Sequence, residues 1–349
     1  MKRTAFALAI SWASLAGPIQ AQTMILPSEW TTYVENYVAD DGRVIDTANN
    51  GISHSESQGY GLVLSALADD RATFERIWTF TSTQLMVRDD GLSAWLWDPS
   101  KTPSLVDANN ATDGDILIAY GLALAGEAWD DTGFTDTARR IIGTVGRNLL
   151  VDVDGLVAIL PGAEGFRDPE GEKPTVLNPS YWVFEALPVF AELDPAINWE
   201  AVSDAGVELI RRTRVKGNGL PPDWLVLGDD GQVRPAPDFP AEFGYNGIRI
   251  PLYMMRAGIN PVLLDPFRNS ADEAGLYKVD AVTGEKLEPI SEPGYRLIGA
   301  AMECVAEGTA IPGDLTTFSP TSYYAATLQL LLLDFLRRDH AECLGGTPS

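Results

Sequence analysis

The chain of 349 residues carries 25 lysines and arginines against 49 aspartates and glutamates, a formal net charge of −24. So negative a surface disfavours nucleic acid and anionic membranes as partners, because both are bound through basic patches. Apolar residues make up 45% of the chain, which supports a packed core and excludes a disordered protein.

The first 21 residues have the pattern of a secretory signal peptide. Lys2 and Arg3 form a short basic start, residues 4–17 are apolar but too short to span a bilayer, and cleavage is expected after Ala21. We therefore predict a mature chain, residues 22–349, that is periplasmic or secreted. No later segment is apolar over about 18 residues without a charge, so no membrane span is expected.

Apolar residues recur at spacings of three and four through most of the chain, which is typical of amphipathic helices. Strand-like alternation is short and scarce, at 156–162 and 225–235. Loops rich in Gly, Pro, Asn and Asp separate the helices, and no long linker divides the chain. The sequence predicts one all-α domain of about a dozen helices, with ten of them at 28–38, 57–68, 71–85, 113–129, 134–150, 179–193, 199–213, 246–258, 293–308 and 320–338.

A single acid stands at the start of one apolar helix, in the segment SHSESQGYGL. Ser55 can cap this helix with Gln58 three residues later, which leaves Glu56 at the first helical position. One interpretation is that Glu56 only complements the helix dipole. The other is acid catalysis.

The segment NNATDGDILIAY repeats this arrangement. Thr112 can cap, Asp113 takes the first helical position, and Asp115 follows three residues after the cap. Two such helix starts, each among small residues such as Gly59 and Gly114, predict a shared cleft that a ligand can approach closely. A helix N-terminus lowers the pKa of a carboxyl group, so Glu56 can serve as a general acid only if burial or a like charge outweighs the dipole. Two carboxylates within a few ångströms cannot both ionise freely, and the sequence therefore predicts that Asp113 keeps a proton on Glu56.

Aromatic residues on polar loops suit the flat faces of sugar rings. Trp95 and Trp97 lie two apart and would face the same side of an extended loop, whereas Tyr181 and Trp182 stand at another predicted helix start. Contact with a ligand and burial in the core are about equally compatible with these positions.

Cys304 and Cys343 either form one disulfide or remain two thiols, and both alternatives are open. The two histidines, His54 and His340, cannot build a His-rich zinc site, and no Cys or His pair has metal-ligand spacing. We therefore predict no metal and no cofactor.

Four segments carry a resemblance to glycoside hydrolase family 8: residues 55–78, 111–129, 178–182 and 321–332. The resemblance implies an (α/α)6 barrel with a few short strands in its loops, and inverting hydrolysis of a β-1,4-glucan. It assigns the proton-donor role to Glu56 and a catalytic role at the cleaved sugar to Asp113. The likeness is greatest to family enzymes that accompany bacterial cellulose synthase, which implies that complex as a second partner.

The catalytic base is the point of departure from the family pattern. Many members carry an aspartate in a Tyr-Asp…Arg segment, whereas FGYNGIRIPLY has Asn246 there and retains Arg249, which is expected to order the site. An amide does not accept a proton from water at a useful rate. Three alternatives follow: Glu242 or Asp238 is the base, Asp113 has a larger share, or the enzyme is slow and acts as a binder. The expected substrate-binding residues are Trp95, Trp97, Tyr181, Trp182, Tyr245, Asn246, Arg249 and Tyr324.

The sequence therefore predicts a secreted endo-β-1,4-glucanase, a cellulase-type glycoside hydrolase of the cellulose-synthesising machinery. One alternative is a catalytically weak protein that binds cello-oligosaccharides. Another is a hydrolase of the same family that acts on chitosan, xylan or mixed-linkage glucan.

Overall fold

The structure is a computed structural model and describes residues 24–213, 219–228 and 230–345. The predicted signal peptide, residues 1–21, lies outside this range. The described residues contain eleven α-helices: α1 Pro27–Tyr37, α2 Ser55–Leu67, α3 Arg71–Phe80, α4 Thr112–Ala128, α5 Thr132–Asn148, α6 Leu187–Leu193, α7 Trp199–Thr213, α8 Arg249–Arg256, α9 Asp265–Ser270, α10 Pro293–Glu307 and α11 Tyr323–Asp339.

The strands are short and lie between the helices in four small antiparallel sheets, ordered β1-β2-β3, β4-β5, β6-β7-β8 and β9-β10-β11. Both predicted strand regions are confirmed, at β5 and at the β7–β8 hairpin, whereas the β10–β11 hairpin was not foreseen. The strands are β1 Ser53–His54, β2 Leu96–Trp97, β3 Leu105–Asp107, β4 Leu150–Val153, β5 Leu156–Ile159, β6 Val176–Leu177, β7 Leu225–Leu227, β8 Val233–Pro235, β9 Glu242–Phe243, β10 Leu276–Asp280 and β11 Lys286–Ile290.

The prediction of an (α/α)6 barrel is confirmed, with helices forming the body and short strands confined to the loops between them. One predicted helix is interrupted. Residues 179–193 form two 3₁₀ turns, Pro179–Tyr181 and Phe184–Ala186, before α6 begins. Pro188 has no amide N–H to donate to the carbonyl of residue 184, so a continuous α-helix cannot form across it.

Helices α2 and α4 form the centre of the core, since nearly all their side chains are buried. They pack at very short range because glycines face the partner helix. A Cβ at Gly59 would lie 2.5 Å from that of Leu117, and one at Gly114 would lie 2.1 Å from Ser55 Oγ. The glycines predicted to admit a ligand therefore admit the neighbouring helix, which brings the starts of α2 and α4 together.

Helix α11 is also buried on most of its surface, and it packs against α1, α2, α8 and α10. Tyr33 on α1 shares a buried hydrogen bond of 2.8 Å with Thr327 on α11. Cys304 and Cys343 form a disulfide that ties α10 to the turn after α11, which settles the alternative left open by the sequence. None of the helices in the described part of the chain has the length and apolar character that crossing a membrane requires.

Candidate active site

Two cavities meet at Glu56. The first, the tyrosine cavity, has a volume of about 360 Å³ and is lined by Asp46, Ala48, Asn49, His54, Glu56, Tyr245, Asn246, Glu292, Tyr295, Ser322, Tyr323 and Tyr324. The second, the tryptophan cavity, has a volume of about 340 Å³ and is lined by Asn49, Ile52, His54, Ser55, Glu56, Trp95, Ala111, Asp113 and Tyr181. Glu56 therefore borders space on two sides.

The N-terminal ends of several helices supply these lining residues. Glu56 and Asp113 come from the first turns of α2 and α4, and Tyr181 comes from the 3₁₀ turn that precedes α6. Asn246 stands just before α8, Glu292 is the N-cap residue of α10, and the tyrosines at 323 and 324 open α11. The structure thus brings the two predicted acids into one site at this end of the barrel.

Arg249, in the first turn of α8, joins the two acids. Its Nη1 lies 3.1 Å from Glu56 Oε1, and its Nη2 donates to Asp113 Oδ2 at 2.8 Å. The guanidinium also lies over the ring of Tyr181, 5.6 Å from its centroid. The side chain is only 1% exposed, and its Nε and Nη1 have no hydrogen-bond acceptor among the described residues. The sequence expected an ordering role for Arg249, and the geometry supplies one.

Asp113 is held in a buried, polar niche. Its side chain is 2% exposed, and Oδ1 accepts a hydrogen bond of 2.8 Å from the amide N–H of Gly114. Burial raises the pKa of Asp113 to about 6; Arg249 opposes this shift, and the negative charge of Glu56 adds to it. The two acids therefore interact electrostatically, and a cation lies between them. The raised pKa belongs to Asp113, whereas the sequence argument assigned the retained proton to Glu56.

Glu56 is more accessible, with 20% of its side chain exposed to the two cavities. The carboxyl group of Glu56 does not cap α2. The sequence predicted Ser55 as the cap, but its amide donates to the Trp95 carbonyl at 3.0 Å, and the helix begins one residue earlier. His54 is the N-cap instead, with Nδ1 accepting from the Ser57 amide at 3.0 Å. The Glu56 carboxyl therefore takes no part in capping: it lies beside Arg249 and borders the two cavities, where a ligand can reach it.

The predicted cap of α4 is also wrong. Ala111 occupies the N-cap position, and Thr112 Oγ1 donates to the Leu160 carbonyl at 2.6 Å. Asp115, which the sequence suggested as a partner of that cap, has a different role. Its Oδ1 accepts from the backbone and hydroxyl of Ser93, at 2.8 and 2.7 Å, and its Oδ2 accepts from Asn110 at 2.8 Å.

Asp115 therefore ties the loop that carries Trp95 to the start of α4. The Trp95 carbonyl in this loop accepts a hydrogen bond from the amide of Ser55, so Asp115 is also connected to α2, the helix that bears Glu56. Burial raises the pKa of Asp115 to about 7, against the lowering effect of its hydrogen bonds to Ser93 and Asn110. Sequence reasoning missed this positioning role.

The aromatic residues that were predicted to bind substrate fall into two groups. Trp95 and Tyr181 line the tryptophan cavity, and Tyr324 lines the tyrosine cavity with Tyr245, whose side chain is 46% exposed. Trp95, Tyr245 and Tyr324 present surface to a sugar, whereas Tyr181 is 7% exposed and has Arg249 over its ring.

The other two predicted aromatic contacts lie elsewhere. Trp182 is wrong as a substrate contact, because its side chain is 1% exposed and its indole N–H donates to the Val202 carbonyl at 2.7 Å in the core. Trp97 is half-buried, packs edge-on against Phe80, and has Arg43 over its ring. It is not among the residues that line either cavity.

Asn246 lies between the carboxylate of Asp223 and the guanidinium of Arg249. Its Oδ1 accepts from Arg249 Nη2 at 3.1 Å, and its Nδ2 lies 3.5 Å from Asp223 Oδ2. Asp223 also accepts from the amides of Gly244 and Gly247, so it fixes the turn that presents Asn246. Burial raises the pKa of Asp223. This buried acid was not identified from the sequence.

The two bases that the sequence predicts lie outside both cavities. Glu242, on β9, pairs with Lys278 at 3.2 Å and lies near Gly244, where a Cβ would be 3.4 Å from its Oε1. Asp238 is exposed to solvent. Neither is among the residues that line the cavities at Glu56.

Chemically, the site offers the carboxyl group of Glu56, which borders two cavities, beside the buried carboxylate of Asp113 and the buried guanidinium of Arg249.

Comparison with known proteins shows which family has this site. The profile of glycosyl hydrolases family 8 matches residues 3–335. A probable endoglucanase of Novacetimonas hansenii is 34% identical over 311 residues, which cover 87% of this chain and 89% of that protein.

Two solved structures share the fold. The endo-β-1,4-glucanase of Acetobacter xylinum has a TM-score of 0.80 at 32% identity, covering 91% of this chain and 99% of that one. The endoglucanase of Komagataeibacter sucrofermentans has a TM-score of 0.79 at 34% identity, covering 90% and 98%.

Proposed function

Because the chain belongs to glycosyl hydrolase family 8, it is a glycoside hydrolase, and we propose that it cleaves internal β-1,4 bonds of cellulose or a related β-glucan. The observation that carries this proposal is the position of Glu56, open to two cavities and set beside Asp113 and Arg249. The endoglucanase names of the relatives support the choice of polymer.

Glu56 acts as the general acid. Protonation of the glycosidic oxygen needs a carboxyl group that can reach a bound ether oxygen, and Glu56 is the member of the acid pair with accessible surface. In an inverting hydrolase the second carboxylate stands about 6.5–9.5 Å away and holds the attacking water on the opposite face of the sugar.

Asp113 binds the sugar at the bond that is cleaved, and Arg249 orders the site around it. Asp113 borders the tryptophan cavity, where an ionised carboxylate accepts hydrogen bonds from sugar hydroxyls. Arg249, which the sequence predicted to bind substrate, is 1% exposed and lines neither cavity, so it acts by holding Glu56 and Asp113 in place. Their positions on different helices make the site dependent on the assembled barrel rather than on one segment.

The two cavities explain endo cleavage. A polysaccharide that fills both places one sugar on each side of Glu56, so the acid meets an internal bond rather than a chain end. Trp95 and Tyr181 would contact the chain on one side, and Tyr245 and Tyr324 on the other. Aromatic faces of this kind bury the C–H surface of a sugar while its hydroxyls reach polar groups.

The sequence predicts Glu242 or Asp238 as the base, and both are alternatives to be tested. Glu242 is the nearer of the two to Asn246, since β9 leads directly into the turn that presents Asn246, but its ion pair with Lys278 would have to open before the carboxylate could hold water. For either residue to activate water, the segment before α8 would have to approach the sugar. The variants E242Q and D238N test this by their turnover on cellohexaose.

Export and association with a cellulose synthase complex are also proposed. The basic and apolar start of the chain supports export, and the sequence resemblance to family 8 enzymes that accompany bacterial cellulose synthase supports the association. Cell fractionation with N-terminal sequencing of the secreted protein tests the first proposal. Co-purification with the synthase subunits tests the second.

The decisive experiment for the polymer is a reducing-end assay on carboxymethylcellulose, chitosan, xylan and mixed-linkage glucan. The proposal expects the fastest release on a β-glucan, with a rapid fall in viscosity that marks internal cleavage. Asn246 favours one competing function, a cello-oligosaccharide binder with little turnover. Tight binding of cellohexaose with no new reducing ends after long incubation would establish that competing function.

A further inference from the structure

We propose that Glu292 is the base that activates the attacking water. This inference rests on the proposed glucanase function and assigns a residue that neither the family pattern nor the sequence motifs indicate. Glu292 lies at the N-cap of α10 and lines the tyrosine cavity together with Glu56 and Asn246.

The catalytic base is sought among the carboxylates that line the two cavities, and the hydrogen bonds of each carboxylate distinguish them. Glu56 is the acid, and Asp113 has both oxygens engaged, one by Gly114 and the other by Arg249. Asp46 also has both oxygens engaged: Oδ1 accepts from the Ala48 amide at 3.0 Å, and Oδ2 accepts from Asn49 at 2.7 Å and faces His54 at 3.4 Å. Each oxygen of these two acids therefore already has a donor or a facing ring nitrogen beside it, which makes both acids poorer candidates for holding the attacking water.

Glu292 differs from both because one of its oxygens is open. Its Oε2 accepts from the backbone N–H and the hydroxyl of Ser322, at 3.1 and 2.8 Å, while its Oε1 accepts no hydrogen bond from the described residues. The side chain is half-buried and lines the tyrosine cavity. It lies at the N-cap of α10, at the positive end of the helix dipole.

The chemical step then balances between two carboxyl groups. A water held by Glu292 Oε1 attacks the anomeric carbon and gives a proton to that oxygen. The bond from the anomeric carbon to the glycosidic oxygen breaks, its electron pair stays on the oxygen, and Glu56 supplies the proton that completes the new hydroxyl. The sugar product has the inverted α configuration, and solvent returns the proton from Glu292 to Glu56.

Asn246 contributes to this arrangement without acting as a base. Its amide is fixed between Arg249 and Asp223, with the oxygen turned to the arginine and the nitrogen to the acid. Because it also lines the tyrosine cavity, it can hold the water or a sugar hydroxyl by a hydrogen bond while Glu292 removes the proton.

The test compares E292Q with E242Q, the competing assignment of the base, on cellohexaose. We expect E292Q to lose at least about 10³-fold in kcat with KM within about threefold of the wild type, because the proton acceptor is lost and the shape is kept. E242Q should lose far less than E292Q. E285Q is the matched control, because it makes the same change at an exposed acid that lines neither cavity, and it should retain the kcat of the wild type.

A second variant, E292A, adds a readout that a structural role would not change. With azide present, it should regain turnover and yield the α-glycosyl azide, because the small anion attacks without needing a base. Wild-type kcat in E292Q, or a loss confined to E242Q, would overturn the assignment. So would a loss in E292A that azide does not relieve in a protein with wild-type circular dichroism. An inactive wild type would instead refute the proposed glucanase function itself.

Discussion

Replacing Arg249 by methionine should destabilise the protein in a pH-dependent way. Arg249 is the largest influence that lowers the pKa of Asp113, against the burial that raises it to about 6 from an ordinary value of 3.8. Since the folded state holds this proton more tightly than the unfolded chain, stability falls as the pH rises from about 4 to about 6. At about 1.4 kcal/mol per pKa unit, ionising Asp113 destabilises the wild type by about 3 kcal/mol.

Without the guanidinium, Asp113 would be a buried charge with no cation beside it. Loss of one partner of a buried pair typically destabilises by about 3–5 kcal/mol, so R249M should show a loss of that size at pH 8. At pH 5 the loss should be smaller, because Asp113 then takes a proton and becomes neutral. Urea unfolding at the two pH values measures both quantities.

Two further variants control this experiment. In the double variant D113N/R249M no acid remains at position 113 to ionise, so the extra loss at pH 8 should disappear. Arg71→Met removes an exposed arginine that also pairs with acids, and its effect on stability should be small and the same at both pH values. An R249M loss that is equal at pH 5 and pH 8 would refute the reasoning.

The remaining predictions concern three positions around the site. D115N should lower the free energy of unfolding by about 1–3 kcal/mol, because three groups donate to Asp115 and the new amide N–H₂ would face one of these donors. Burial raises the pKa of Asp115 to about 7, so the wild type loses stability as the pH rises from about 4 to 7, and the thermal stability of D115N should approach that of the wild type over this range. N246D places a carboxylate near that of Asp223, so it should lower the urea midpoint without raising turnover, and a tenfold gain in kcat would contradict this. W95A should raise KM for cellohexaose at least about tenfold, consistent with about 1.5 kcal/mol of sugar contact, whereas W97A should leave it nearly unchanged; equal effects would refute this assignment of the two rings.

The helices and the acid pair were predictable because their signals are local, whereas the closed barrel was implied only by the resemblance to glycoside hydrolase family 8. Apolar spacing predicts the helices, and the two acid-bearing helix starts stand out in the sequence even without their tertiary setting. Their meeting depends on glycines at which α2 and α4 approach each other, and those glycines are visible in the sequence at Gly59 and Gly114. What the sequence did not show is that these glycines face a helix rather than a ligand.

The capping residues were mispredicted because tertiary contacts compete for the same groups. This holds for Thr112, whose hydroxyl donates to the Leu160 carbonyl. Ser55 is displaced as the cap because α2 begins one residue earlier, where His54 accepts from the Ser57 amide. The roles of Asp115 and Asp223 depend on donors about twenty residues away, so no local pattern reveals them.

Trp182 shows the limit of arguing from helix starts. Its position beside Tyr181 suggested exposure, yet its ring lies against Gly206 on α7, where a Cβ would be 2.3 Å from the indole. The slot is created by a residue 24 positions later, and only the packed barrel reveals it. Glu292 was likewise not recognised, because an acid before a Pro-Gly helix start has no motif that marks it as catalytic.

The most direct test of Glu56 as the general acid compares two leaving groups in E56Q. On cellohexaose, whose leaving oxygen needs a proton, kcat/KM should fall at least about 10³-fold, in the range typical for general acids. On a 2,4-dinitrophenyl β-cellotrioside, whose leaving group departs without a proton, the variant should stay within about tenfold of the wild type. Equal losses on both substrates, or wild-type rates on cellohexaose, would contradict the account.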